Sequence, residues 1–203
     1  MASAFFQANN GSTSQLYRLG ADQSVMQWTA NPGIGFGLAP NDLTEFDGNV
    51  WFRGYDTAAQ SLQLFKLGND GSVTLWTAIN TGGVGLNPAD ITEFNDALWF
   101  AGVAPGQGFF FQLYKLGFDG SVTKWTALNT GSGNGLFPSN LTDFNNALWF
   151  DGFTATQGNQ LFKLGADGSV TLWTAINPGG VGLQAADLTE FNGNCTNWEP
   201  MAA

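Results

Sequence analysis

Histidine is absent from all 203 residues, and there is one cysteine, Cys195. Without histidine the chain has no Ser-His or Cys-His nucleophilic pair, no imidazole general base and no ordinary His-ligated zinc or haem site. A lone cysteine cannot close an internal disulfide. Bases are scarce too: six Lys and Arg stand against sixteen Asp and Glu, a formal charge of −10. Nucleic acid and anionic lipid both require basic patches, so neither is an expected partner. No apolar run is long enough to span a bilayer, and no membrane insertion is expected. The opening MASAFFQANNGSTS has neither a basic stretch nor a continuous apolar one, and no secretory signal is expected in it. No segment shows a 3.6-residue apolar period, which argues against helices.

What the chain does have is repetition, and a repeat decides the architecture before any local reading does. Gln15, Gln63, Gln112 and Gln160, spaced 48, 49 and 48 residues apart, each open the phrase Gln-Leu-(Tyr/Phe)-(Lys/Arg)-Leu-Gly. Each full unit runs through an LTEF-type segment, a two-residue turn, an aromatic segment, the QL(Y/F)KL segment, an Asp-Gly turn and SVTxWT. The turn pairs Asp47-Gly48, Asn95-Asp96, Asn145-Asn146, Asp70-Gly71, Asp119-Gly120 and Asp167-Gly168 suit tight hairpins. The segments between them are β-branched and aromatic, as strands are.

Units of this length with four strands predict an all-β chain, a single four-bladed β-propeller of four-stranded antiparallel sheets over residues 1–203. With strands a, b, c and d counted outward, blade 2 spans 42–78, blade 3 spans 90–127 and blade 4 spans 140–175. Blade 1 covers 4–30 and has no strand a of its own. The last LTEF copy, 188–191, is expected to supply it and close the ring, leaving a tail at 195–203 with Cys195 and Trp198 packed on the ring. The rival reading is an open array completed by oligomerisation.

The phrases INPGGVGLQAADLTEFNG and QLFKLGADGS resemble the ELWxxDGT-type repeats of bacterial surface and secreted proteins, with Gln-Leu-(Phe/Tyr)-Lys-Leu-Gly-x-Asp-Gly-Ser in place of the last motif. The resemblance runs through residue 194. It implies a propeller-like fold and a secreted or surface setting, and assigns no activity. Hemopexin-like domains are similar in ring size alone.

A propeller sorts its loops by end, and the longer b–c and d–a connections mark the expected ligand face. The loop aromatics there are Phe36, Tyr55, Phe109, Phe110, Phe137 and Phe153. At the position after the aromatic pair of strand b the units differ most, with Gln7, Arg53, Ala101 and Asp151, so Arg53 and Asp151 are expected at the rim, in opposite blades. Glu45, Glu93, Asp143 and Glu190 recur in strand a. They either form a cation-binding ring or pair with the repeated bases Arg18, Lys66, Lys115 and Lys163. The tryptophans of strands b and d are expected in the core between blades. The Asp-Gly segments lack the alternating oxygen ligands of a calcium loop and are expected to be plain turns.

The resulting expectation is a non-catalytic, lectin-like propeller that binds carbohydrate or another small, partly apolar ligand, as a monomer or weak homo-oligomer, with no cofactor. Two alternatives stand beside it. One is a small enzyme working through Asp151, Arg53, Tyr55 and Asp56 without histidine. The other is an assembly module docking a partner on its phenylalanine face.

Overall fold

The computed structural model describes residues 4–9, 11, 13–28, 38–56, 61–76, 85–103, 110–125, 136–154, 158–173 and 188. Fifteen strands and no helix lie among them, in four antiparallel sheets. The N-terminal sheet has three strands: β1 (Ala4–Asn9), β2 (Ser14–Leu19) and β3 (Val25–Gln27). The second holds β4 (Asn41–Phe46), β5 (Asn49–Asp56), β6 (Ser61–Leu67) and β7 (Val73–Leu75). The third holds β8 (Ala89–Glu93), β9 (Leu98–Val103), β10 (Phe111–Leu116) and β11 (Val122–Lys124). The fourth holds β12 (Ser139–Asp143), β13 (Ala147–Thr154), β14 (Gly158–Gly165) and β15 (Val170–Leu172). In every sheet strands pair in chain order, one repeat of the sequence per sheet.

Turn chemistry sets the hairpins. Asp47 and Gly48, Asn95 and Asp96, and Asn145 and Asn146 all have positive φ, the backbone of the two-residue turn that matches strand twist. At the c–d turns the aspartate folds back onto its own loop. The Asp70 carboxylate accepts from the Ser72 amide at 2.9 Å and from its hydroxyl at 2.6 Å, and Asp22, Asp119 and Asp167 do the same with Ser24, Ser121 and Ser169. These bonds hold all four carboxyls below the usual carboxylate range. The turn reading of the Asp-Gly segments is sufficient.

Among the described residues the core lies between the sheets, in three junctions of one design. One side presents the strand-b aromatic, the strand-c leucine that follows the repeated glutamine and the strand-d tryptophan: Trp51, Leu64 and Trp76 at the second junction. The facing side presents a stacked aromatic pair with a leucine and a valine: Phe100, Tyr114, Leu116 and Val122. The first junction sets Phe5, Leu16 and Trp28 against Phe52, Phe65, Leu67 and Val73, and the third sets Trp99, Leu113 and Trp125 against Phe150, Phe162, Leu164 and Val170. The tryptophan-bearing faces carry T-shaped pairs such as Trp51–Trp76 (5.1 Å), and the faces opposite them carry stacked pairs such as Phe100–Tyr114 (5.8 Å).

The outer end of each junction depends on a glycine. Trp28, Trp76 and Trp125 lie over Gly71, Gly120 and Gly168 of the next unit's turn, where a Cβ would stand 2.5, 2.8 and 3.1 Å from the indole. The Trp28 indole N–H also donates to the Gly71 carbonyl at 3.0 Å. Gln23 holds the matching place in the first sheet, with φ 66.

Inner strands are stitched by threonines. Thr44 donates to the Ile91 carbonyl at 2.6 Å, Thr92 to Leu141 at 3.1 Å and Thr142 to Leu188 at 3.1 Å. Leu188 therefore stands beside β12 as Leu141 stands beside β8. The remainder of 188–191, its pairing with 4–8, and the tail at 195–203 lie outside the described residues.

Candidate functional site

The b–c ends of the strands lie opposite the tight turns, and a Leu-x-Pro segment ties neighbouring sheets together there. The amide of its middle residue donates backward, from Ala39 to Ser14, Asn87 to Leu62 and Phe137 to Phe111. The carbonyl of its leucine accepts forward, Leu38 from Tyr55, Leu86 from Val103 and Leu136 from Phe153. Facing both ways bends the backbone, and all three middle residues are left-handed: φ 44 at Ala39, 46 at Asn87 and 50 at Phe137.

Alanine and asparagine suit that geometry better than an aromatic does. Phe137 nevertheless occupies it, with 39% of its surface exposed. Its ring centre lies 6.2 Å from Phe110, 6.4 Å from Phe111 and 6.3 Å from Phe153. Three of the loop aromatics picked out by position thus form one patch where the third and fourth sheets meet. Phe111, the last of the three consecutive phenylalanines in GQGFFFQ, joins them; its place in a strand hid its membership. Tyr55 takes at the first junction the place Phe153 takes at the third, and so lies apart from the patch. Phe36 and Phe109 are outside the described residues.

Arg53 and Asp151 occupy equivalent places on β5 and β13, opposite Asn41 and Ser139. They form no ion pair with each other. Asp151 is only 6% exposed, its carboxyl takes the Gly152 amide, and Oδ1 has no partner. Burial pushes its carboxyl above the usual range. Nε of Arg53 is likewise buried without a partner. The charge beside Arg53 is Asp42, on a bulge of the inner strand where φ is 53. Burial raises Asp42, Arg53 opposes that, and the neighbouring Asp90 adds to it. Bulge residues are linked sheet to sheet: the Asp90 amide donates to the Asp42 carboxylate, and the Asn140 amide to Asp90 Oδ2 at 2.8 Å. Sequence reasoning passed over this column for the glutamate three residues later, although Asp42, Asp90 and Asn140 recur just as regularly.

The glutamate column has a different setting. Glu45, Glu93 and Asp143 are exposed, and no group of three or more acids able to hold a metal occurs among the described residues. Glu45 and Glu93 make no ion pair with Lys66 and Lys115. The strand-c bases lie instead over indoles: Arg18 over Trp28 at 5.3 Å, Lys66 over Trp51 at 5.6 Å, Lys115 over Trp99 at 5.7 Å and Lys163 over Trp149 at 5.7 Å. The carboxylates on which these four bases act are the turn aspartates Asp22, Asp70, Asp119 and Asp167. Glu190 lies outside the described residues.

Four antiparallel sheets in sequence order, packed face to face through one repeated junction, decide the fold class. The sheets are β-propeller blades. Solved structures agree at the level of fold. The chain is similar to a prolyl endopeptidase (TM-score 0.59, 13% identity, 84% of this chain and 24% of that one). It is similar also to puromycin hydrolase (0.56, 12%, 84% and 26%) and to the acylaminoacyl peptidase of Pyrococcus horikoshii (0.51, 13%, 84% and 26%). The chain spans about a quarter of the length of each. No protein-family model matches it, and no curated protein does.

Proposed function

We propose that this chain is a non-catalytic binding propeller whose ligand, a carbohydrate or another small and partly apolar molecule, contacts the patch formed by Phe110, Phe137 and Phe153. The observation that carries the reading is Phe137: a bulky ring kept half-exposed on a left-handed backbone that two sister units give to alanine and asparagine. Backbone strain beside an exposed apolar cluster is characteristic of binding sites, where stability is traded for a presented surface. The patch offers ring edges and faces with few polar groups, which suits the apolar face of a sugar or a hydrophobic moiety. As for architecture, residues 188–191 act as the inner strand of an N-terminal blade, a reading supported by the Thr142–Leu188 bond.

A glycan array and a titration with the apolar dye ANS test the site. Binding that is present in the native chain and lost in Phe137→Asn supports it; binding indifferent to Phe137 sinks it. The enzyme reading rests on Asp151, Arg53, Tyr55 and Asp56, and only the raised, half-satisfied carboxyl of Asp151 favours it. Burial and the Gly152 amide alone act on the Asp151 carboxyl, with no charged group among the causes of its shift, which counts against an acid–base pair.

A further inference from the structure

Every junction among the described residues has two complementary faces, and the four blades carry one more of each than those three junctions use. The spare faces belong to the first and last blades. On blade 1 the face is Phe6, Tyr17, Leu19 and Val25, with the same stacked aromatic pair (5.8 Å) found in the other units. Leu19 is 38% exposed and Val25 58%, whereas the matching leucines Leu67, Leu116 and Leu164 are buried. On blade 4 the face is Trp149, Leu161 and Trp173, with the same T-shaped pair (5.3 Å). Trp173 is 40% exposed, and Leu161 and Trp149 are less buried than Leu64, Leu113, Trp51 and Trp99.

Had these two faces met within one chain, their residues would be covered as their counterparts are. The surface that fits each of them appears three times in the structure, always as the opposite face of a neighbouring blade. We infer that a second copy of this chain covers them, head to tail, with the blade 4 face of one copy packed on the blade 1 face of the other. None of the seven face residues carries a charge, so the formal −10 of each chain is kept outside the contact. Gln23, in the place of the tryptophan-bearing glycines, loosens the outer end of this junction relative to the other three.

Sedimentation velocity on the native chain at physiological salt, over a range of concentrations, gives the first measurement. The expected result is a mass at least twice that of the chain. Leu19→Asp and Trp173→Asp, both at exposed positions, are each expected to sediment as folded monomers by circular dichroism. Mixed together, they are expected to restore a heterodimer, because each keeps the face that the other has lost. A native chain that stays monomeric at every concentration, with Trp173→Asp lowering its thermal stability, means closure within one chain and overturns the inference. Variants that remain assembled overturn it as well. Neither measurement touches the phenylalanine patch, so failure here leaves the proposed binding function standing.

Discussion

Phe137→Asn puts the trade between stability and binding into one measurement. Asn87 already occupies the equivalent backbone at φ 46, so the variant has a working precedent in the same chain. Removing the ring releases left-handed strain, about 1–2 kcal/mol for a bulky L residue and less for asparagine, a net relief of about 1 kcal/mol. Against that stands the lost burial. A fully buried phenylalanine is worth about 1.5–3 kcal/mol, and at 39% exposure the loss is about 1–2 kcal/mol. Its three ring contacts, near the far end of the favourable range, add about 0.5 kcal/mol. The balance is a net destabilisation of about 1 kcal/mol. A truncation at the fully buried Phe100 should by contrast cost about 3–5 kcal/mol. Urea titration of Phe137→Asn, Phe100→Ala and the native chain reads this directly, and ANS fluorescence on the same samples reports the patch. A loss above about 3 kcal/mol for Phe137→Asn would make the ring a structural anchor, and the argument from strain would fail.

Three further outcomes follow from the same geometry. Gly120→Ala places a Cβ 2.8 Å from Trp76 at φ 76, so it should cost about 1–3 kcal/mol in thermal unfolding, whereas Gly11→Ala, with open space around it, should cost less despite its φ of 94. Thr92→Val keeps the shape but leaves the Leu141 carbonyl without its donor, and should cost about 1 kcal/mol by denaturant titration. Asp151→Asn tests a pH sign. The native carboxyl is raised above its unfolded value, so the fold favours the protonated form; this contribution is fullest at acid pH and is lost as pH rises through the raised pKa. The variant should therefore match the native chain in acid and exceed it in stability at neutral pH, and equal stabilities at both would refute the assignment. The four turn aspartates act in the opposite sense, since their lowered pKa values make them stabilising above the usual carboxylate range and not in acid.

The sheets were legible because their signals are local. Asn-Gly-like pairs impose positive φ within two residues, and a strand's alternation needs only its own neighbours, so the hairpins, strand order and junction tryptophans could all be read from spacing. The site was legible only in part. Phe110, Phe137 and Phe153 could be picked as loop aromatics, but their meeting depends on the Leu-x-Pro clip drawing the third and fourth blades together, a contact between distant segments. The charged positions were harder. Arg53 and Asp151 could be seen to differ among equivalent positions, but which charge stands beside Arg53 depends on the bulge that turns Asp42 toward it. The repeated lysines looked like partners for the repeated glutamates because both columns have the same period. Period alone cannot distinguish a carboxylate from the indole face that lies nearer in the same sheet.

The tryptophan-on-glycine contact has a consequence for how such a chain lengthens or shortens. It always points from one unit to the following one, so the units behave as keyed connectors that join in a single orientation. An additional unit spliced between Trp125 and Gly168 would find a plug on one side and a socket on the other, each matched by its own, while one inserted in reverse would set plug against plug and socket against socket. The number of blades is thus not written in any one unit, and among the described units the first differs in having a glutamine, Gln23, where the others have the socket glycine.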